Sequence, residues 1–187
     1  HSLEKFADAL EENTLELISL CCREGGKTIK DGLDEVREAV DFCRYYAMNG
    51  RVQFDEAGIK LPGPTGERNV YAYEGRGIFV CISPWNFPLA IYVGQMVAAL
   101  MAGNSVVAKP AEQTSLLACF VAKLIHQAGV PPEVLQILTG DGRVGQALLL
   151  GLLRRKQAVK HCRTARNVIF TITLLERPTN ETSTLNA

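Results

Sequence analysis

Apolar residues return at three- and four-residue steps through the first part of the chain. Leu3, Phe6, Leu10, Leu17 and Cys21 share one face of a helix over residues 3–24. Gly25-Gly26 stops it. Val36, Val40, Cys43 and Ala47 mark a second helix over about Leu33–Ala47. Residues 50–68 hold four glycines and two prolines and read as an extended connection. "NVYAYEGRGIFVCI" then reads as two strands around a Gly-containing turn, the second apolar throughout.

From Gly77 the pattern alternates regularly. A strand over Gly77–Ile82 precedes a helix over about Leu89–Met101, which Gly103-Asn104 ends. "SVVAK" is a short buried strand. Thr114 can cap a helix over about Ser115–Gln127, closed by Gly129 and Pro131. "VLQIL" is a third strand, followed by "TGDGRVG" and a further helical run. Strands this apolar, alternating with helices, predict an α/β fold: a Rossmann-like parallel sheet with helices on both faces, preceded by N-terminal helices. In such sheets ligands sit at the carboxyl ends of the strands. "SPWN", "KPAEQT" and "GDGRVG" all fall there.

Composition narrows the class. The 187 residues carry 20 basic and 20 acidic side chains, a balance that does not call for nucleic acid as the main partner. No apolar run reaches the roughly 18–20 residues of a membrane span. The opening "HSLEKFADALEE" is amphipathic and charged rather than a signal peptide, so the expected location is the cytoplasm. A chain that starts with His suggests a fragment. Six cysteines, without any C-x-x-C, fit a reducing compartment. His161 and Cys162 are neighbours on a basic segment and read as two residues pointing different ways.

Each strand-end segment admits two readings. Gly140, Gly142 and Gly145 match G-x-G-x-x-G, a loop whose amides can approach a phosphate. It is equally a glycine-rich turn, and no acidic residue stands between Asp141 and Glu176 to complete a dinucleotide fingerprint. Lys109 and Glu112, three residues apart on a stiff turn, can hold two ribose hydroxyls, or be a surface Lys and a Glu favoured by the helix dipole. In "SPWNFP", two prolines stiffen the backbone, Trp85 offers a flat wall and Asn86 an amide donor for a developing oxyanion. Alternatively Trp85 is core and Asn86 caps the next helix.

Together "ISPWNFP", "AGNSVVAKPAEQT" and "AGVPPEVLQILTGDGRVG" resemble the cofactor-binding half of the aldehyde dehydrogenase superfamily. "EVREAVDFCRYYA" and "CISPWNFPLAIYVGQ" look most like the 1-pyrroline-5-carboxylate dehydrogenase module of bacterial bifunctional proline utilization proteins. The resemblance implies NAD as cofactor, an aldehyde substrate (glutamate semialdehyde, oxidised to glutamate), and a homo-oligomer or the remainder of a larger polypeptide as partner. It implies Asn86 as oxyanion donor, with Ile82, Ser83 and Trp85 on the nicotinamide side of the cofactor. Lys109 and Glu112 would bind the adenosine ribose, and Gly142 and Gly145 would shape the adenine side, on a loop one residue shorter than the family pattern. The family's nucleophilic Cys and general-base Glu have no counterpart within this chain's length, so the chain is expected to be inactive alone.

The resemblance divides the chain into a helical segment over 1–50, a partial NAD-binding domain over 51–150 and a divergent basic tail over 151–187. In that tail "VIFTIT" echoes a family strand ending in F-T-G-S. It is set aside because Ile172 and Thr173 stand in the Gly and Ser places. Two other readings remain: a non-catalytic nucleotide-binding or interaction remnant, and a nucleic-acid binder using the seven basic residues between 142 and 175.

Overall fold

The computed structural model describes residues 1–55, 58–159 and 168–172, the last stretch and residues beyond 151 by backbone alone. His161, Cys162 and Thr173 lie outside the described residues.

The first apolar stripe folds as two helices rather than one, α1 (Ser2–Glu12) and α2 (Thr14–Gly25). The break is at Asn13, whose side-chain amide donates to the Ala9 carbonyl at 2.8 Å, while Thr14 Oγ1 donates to the Glu11 carbonyl at 2.7 Å. Side chains that bond the preceding turn compete with the helical ladder. Gly26 ends α2 at φ 64°, the left-handed conformation that glycine adopts freely, as expected. Helix α3 (Ile29–Gln53) is longer than its sequence signal at both ends. Thr28 caps it, its Oγ1 accepting from the Asp31 amide at 3.1 Å. At the other end the helix continues through Gly50, where a Cβ would collide with the Met101 side chain.

The expected extended connection holds β1 (Ile59–Leu61), which pairs antiparallel with β2 (Asn69–Tyr71) in a separate small sheet. The two strands expected around the Gly turn thus belong to different sheets. After them come β3 (Ile78–Ile82), α4 (Ala90–Met101), β4 (Ser105–Lys109), α5 (Ser115–Gln127), β5 (Leu135–Ile137), α6 (Gly142–Val159) and β6 (Val168–Ile172). The main sheet is parallel, in the order β5-β4-β3-β6.

Strand β6 is the "VIFTIT" run that the sequence reading set aside. Its β-branched residues suit a strand, and its backbone pairs with β3 from Ile78↔Val168 to Ile82↔Ile172. Helix α6 runs through the expected boundary at 150/151. Alternation along the strands separates two faces. Cys81, Val106, Ala108 and Leu135 join the core with α4, α5 and the N-terminal helices. Ile82 and Lys109 face the other way, where α6 begins. Among the described residues no helix is long and apolar enough to cross a membrane.

Candidate functional site

The carboxyl ends of β3, β4 and β5 open onto one edge. The ladder runs one residue past the strands, with Ser83 N donating to the Lys109 carbonyl (3.0 Å) and Leu138 N to the Ala108 carbonyl (2.9 Å). Ile82 and Lys109 are register partners and so point to the same face. A Cβ on Gly145 would lie 3.7 Å from Lys109 Cδ and 3.9 Å from Ile82 Cδ1. The fold therefore brings Ile82, Lys109 and Gly145 together. Gly142 is the first residue of α6 and has open space where a Cβ would stand.

Lys109 is 5% exposed, and its Nζ donates to the Pro110 carbonyl at 2.9 Å. Burial pushes its pKa down, against the nearby Glu112 and Asp141 carboxylates that favour the cation. Glu112 is exposed and opens a single 3-10 turn, Glu112–Thr114. The turn thus presents a buried cation and an exposed carboxylate with unequal access to solvent.

Three helices start at this edge, and each start already holds a carboxylate. Asp141 Oδ1 accepts from Arg143 N (2.9 Å) and its Oδ2 from Arg143 Nε (2.8 Å), the contact that holds its carboxyl below the usual range. Glu24 accepts from Leu116 N (3.0 Å) and Leu117 N (2.7 Å) at the start of α5. Glu35 Oε2 accepts from Leu89 N (3.0 Å) and Ala90 N (2.8 Å) at the start of α4. A helix N-terminus attracts an anion through free N–H groups and its dipole. Here a protein carboxylate already engages one N–H group at the start of α6 and two each at α4 and α5, and competes there with an incoming phosphate.

The loop between β3 and α4 decides two open questions. Trp85 is 55% exposed, so it is not core. Asn86 does not cap α4, because Glu35 does. Asn86 Oδ1 is buried and has no hydrogen-bond partner among the described residues. Ser83 is buried, and its Oγ donates to Gln95 Oε1 on α4 at 3.1 Å. Its hydroxyl is thus turned to the helix, and what it can offer the cleft is backbone.

Sequence reasoning missed Lys27 and Glu35. Glu35 is 2% exposed, and Lys27 Nζ lies 3.0 Å from its Oε1, an ion pair without hydrogen-bond alignment. Lys27 also stands over the Phe87 ring, 4.3 Å from its centroid. The signal was present: Glu35 lies on the buried stripe of Gly32, Val36, Ala39, Val40 and Cys43, where a charge needs a partner.

Three of the described cysteines, Cys21, Cys43 and Cys81, are buried. Cys81, beside Ile82, points to the α4 side, and burial pushes its thiol up to about 12, as it does for Cys21 and Cys43. Among the described residues no group of His, Cys, Asp and Glu is arranged to hold a metal ion.

The model of the aldehyde dehydrogenase family matches residues 1–151. The bifunctional protein PutA of Salmonella typhimurium is 48% identical over 147 residues, 79% of this chain and 10% of the relative. The 1-pyrroline-5-carboxylate dehydrogenase of Bacillus subtilis is 37% identical over 140 residues, 75% of this chain and 27% of the relative. Among solved structures, proline utilization A with proline bound in remote sites superposes with a TM-score of 0.77 at 47% identity, covering 90% of this chain and 19% of that one. The chain thus spans about a tenth of the PutA proteins and about a quarter of the dehydrogenase it matches.

Proposed function

The chain belongs to the aldehyde dehydrogenase family, and on that premise we propose that it is the cofactor-binding, oxyanion-holding part of an NAD-dependent enzyme that oxidises glutamate semialdehyde to glutamate in proline catabolism. The observation that carries this reading is the meeting of Ile82, Lys109 and Gly145 at the strand ends, next to an exposed Trp85. The names of the similar proteins support the substrate class.

The residues present fit the cofactor. Space stands open at Gly142, and Gly145 keeps bulk off Lys109 and Ile82 on the side assigned to adenine. Lys109 has two further N–H groups beyond the one given to Pro110, and Glu112 is an exposed acceptor, which suits two vicinal ribose hydroxyls. A carboxylate there disfavours a 2′-phosphate, hence NAD rather than NADP. The phosphates bind away from the three carboxylate-filled helix starts. Ile82, the Ser83 backbone and Trp85 line the nicotinamide side. Asn86 Nδ2 is the donor for the aldehyde oxygen as it gains charge, and the prolines on either side keep it preorganised. NAD, when bound, supplies the hydride acceptor.

The nucleophile and the general base come from another part of the complete polypeptide, in the cytoplasm, as a larger chain or homo-oligomer. The buried thiols of Cys21, Cys43 and Cys81, raised to about 12, are poor nucleophiles at neutral pH. With the family's nucleophilic Cys and general-base Glu supplied elsewhere, the chain alone is expected to form no NADH from glutamate semialdehyde.

Titration with NAD, followed through Trp85 emission, tests this reading. NAD is expected to quench or shift the signal, and Lys109→Ala to weaken binding by about 1–3 kcal/mol, the scale of a lost charge-assisted hydrogen bond. A folded sample silent at millimolar NAD would sink the assignment.

A further inference from the structure

We infer that Lys27 and Glu35 are positioning residues for the Asn86 loop, a role that rests on the reading of Asn86 above. The loop Pro84–Pro88 is stiff within itself, but its two prolines do not fix where it sits on the molecule. The end of α2, the turn after it and the first part of α3 do that through Gly25, Lys27 and Glu35. Glu35 Oε2 holds Leu89 N and Ala90 N, the residues that follow the loop. Lys27 lies 3.0 Å from the other carboxylate oxygen and 4.3 Å from the Phe87 ring centroid, joining the cap to the residue after Asn86. Gly25 closes the seat, since a Cβ there would already touch Pro88 Cγ at 3.4 Å and the Trp85 carbonyl at 3.7 Å.

The chemistry of the pair suits the task. Glu35 has four acceptor directions, and uses two on backbone N–H groups and one on a cation. Lys27 divides its charge between the carboxylate and the face of an aromatic ring. Neither touches the reacting atoms. Both hold the segment that follows Asn86, Glu35 through the Leu89 and Ala90 backbone and Lys27 through the Phe87 ring, so that the Asn86 amide keeps one place as charge develops before it.

Trp85 is the protein's single tryptophan, so acrylamide quenching of the full chain reads this loop alone. Glu24→Ala uncaps α5 in the same way but lies outside the loop, and serves as the structural control. Lys27→Met and Glu35→Ala are expected to raise the quenching constant about two-fold, the limit for a side chain released from 55% exposure. Glu35→Gln keeps an oxygen for Leu89 and Ala90 and gives a smaller rise. Lys27→Arg keeps the cation over Phe87 and restores the wild-type value, and Glu24→Ala leaves it unchanged. Wild-type quenching in Lys27→Met, with helical circular dichroism intact, would overturn the proposal, as would an equal rise in Glu24→Ala. If Glu35→Ala does not fold, the Lys27 pair of variants decides. A loop released by Lys27→Met in a chain that ignores NAD keeps the positioning role and fails the cofactor reading, so the two are separable.

Discussion

Helices α4 and α6 begin at the same edge of the sheet, and both begin under a carboxylate, but the carboxylates come from different places. Asp141 belongs to the turn it caps, is bound to Arg143 two residues on, and is partly exposed to solvent. Glu35 caps α4 from more than fifty residues away, is 2% exposed and is paired with Lys27. The local cap shapes one turn. The distant cap ties the N-terminal helices to the loop that carries Trp85 and Asn86. Helix α5 falls between them, since Glu24 also comes from afar but forms no salt bridge among the described residues.

The largest effect that tests this contrast is expected from Glu35→Ala. It strips two N–H groups of their acceptor and leaves Lys27, 16% exposed, without its anion. Breaking a buried pair from one side costs about 3–5 kcal/mol. Urea unfolding should show it as a large fall in midpoint, and a fall no greater than that of a surface substitution would refute the contrast. Glu24→Ala should lose about 0.5–2 kcal/mol, the range for a lost helix cap. If it matched Glu35→Ala, the Lys27 partnership would add nothing.

Asp141→Asn should have the smallest effect, and one that depends on pH. The folded carboxyl titrates below its ordinary 3.8, chiefly because Arg143 bonds it. A depressed folded pKa means that the unfolded state binds the proton more readily. The contribution is therefore complete above the ordinary value and lost as pH falls through the folded one. Wild type and Asp141→Asn should differ slightly at pH 7 and converge in acid. A difference that grew as pH fell would reverse the sign and the argument.

The same split between local and distant causes decides what could be read from the sequence. The alternation from Ile78 to α6 is written in local apolar runs, and the strand-end segments were found where the fold puts them. Asn13 gave no warning of a helix break, because Leu10 and Leu17 keep their spacing across it. Gly50 was counted with the extended connection over 50–68, yet it lies inside α3. Met101, 51 residues on, fills the room that a side chain at that position would need. Thr28 and Asp31 did spell out a helix start, and the apolar stripe alone was too narrow a guide to use it. Trp85 and Asn86 each kept two readings until Glu35 took the cap and Trp85 stood exposed. No spacing rule links Glu35 to Leu89, so that part of the site had to wait for three dimensions.

Strand β3 has one neighbour close in sequence and one remote. Ile78 pairs with Ser105, 27 positions on, and with Val168, 90 positions on. Closing the longer loop costs about 1 kcal/mol more entropy than the shorter, by the logarithmic dependence on length. Non-local pairings are also the slow ones. The β3–β4 pair, with α4 between, is therefore expected to form first, and β6 to dock onto it later. During synthesis, the edge of β3 stays open for some 63 residues after β4 has left the ribosome, about 3–13 s at ordinary elongation rates. The end of the sheet that carries Ser83, Trp85 and Asn86 is thus assembled in two instalments, and the order of assembly follows from the strand order alone.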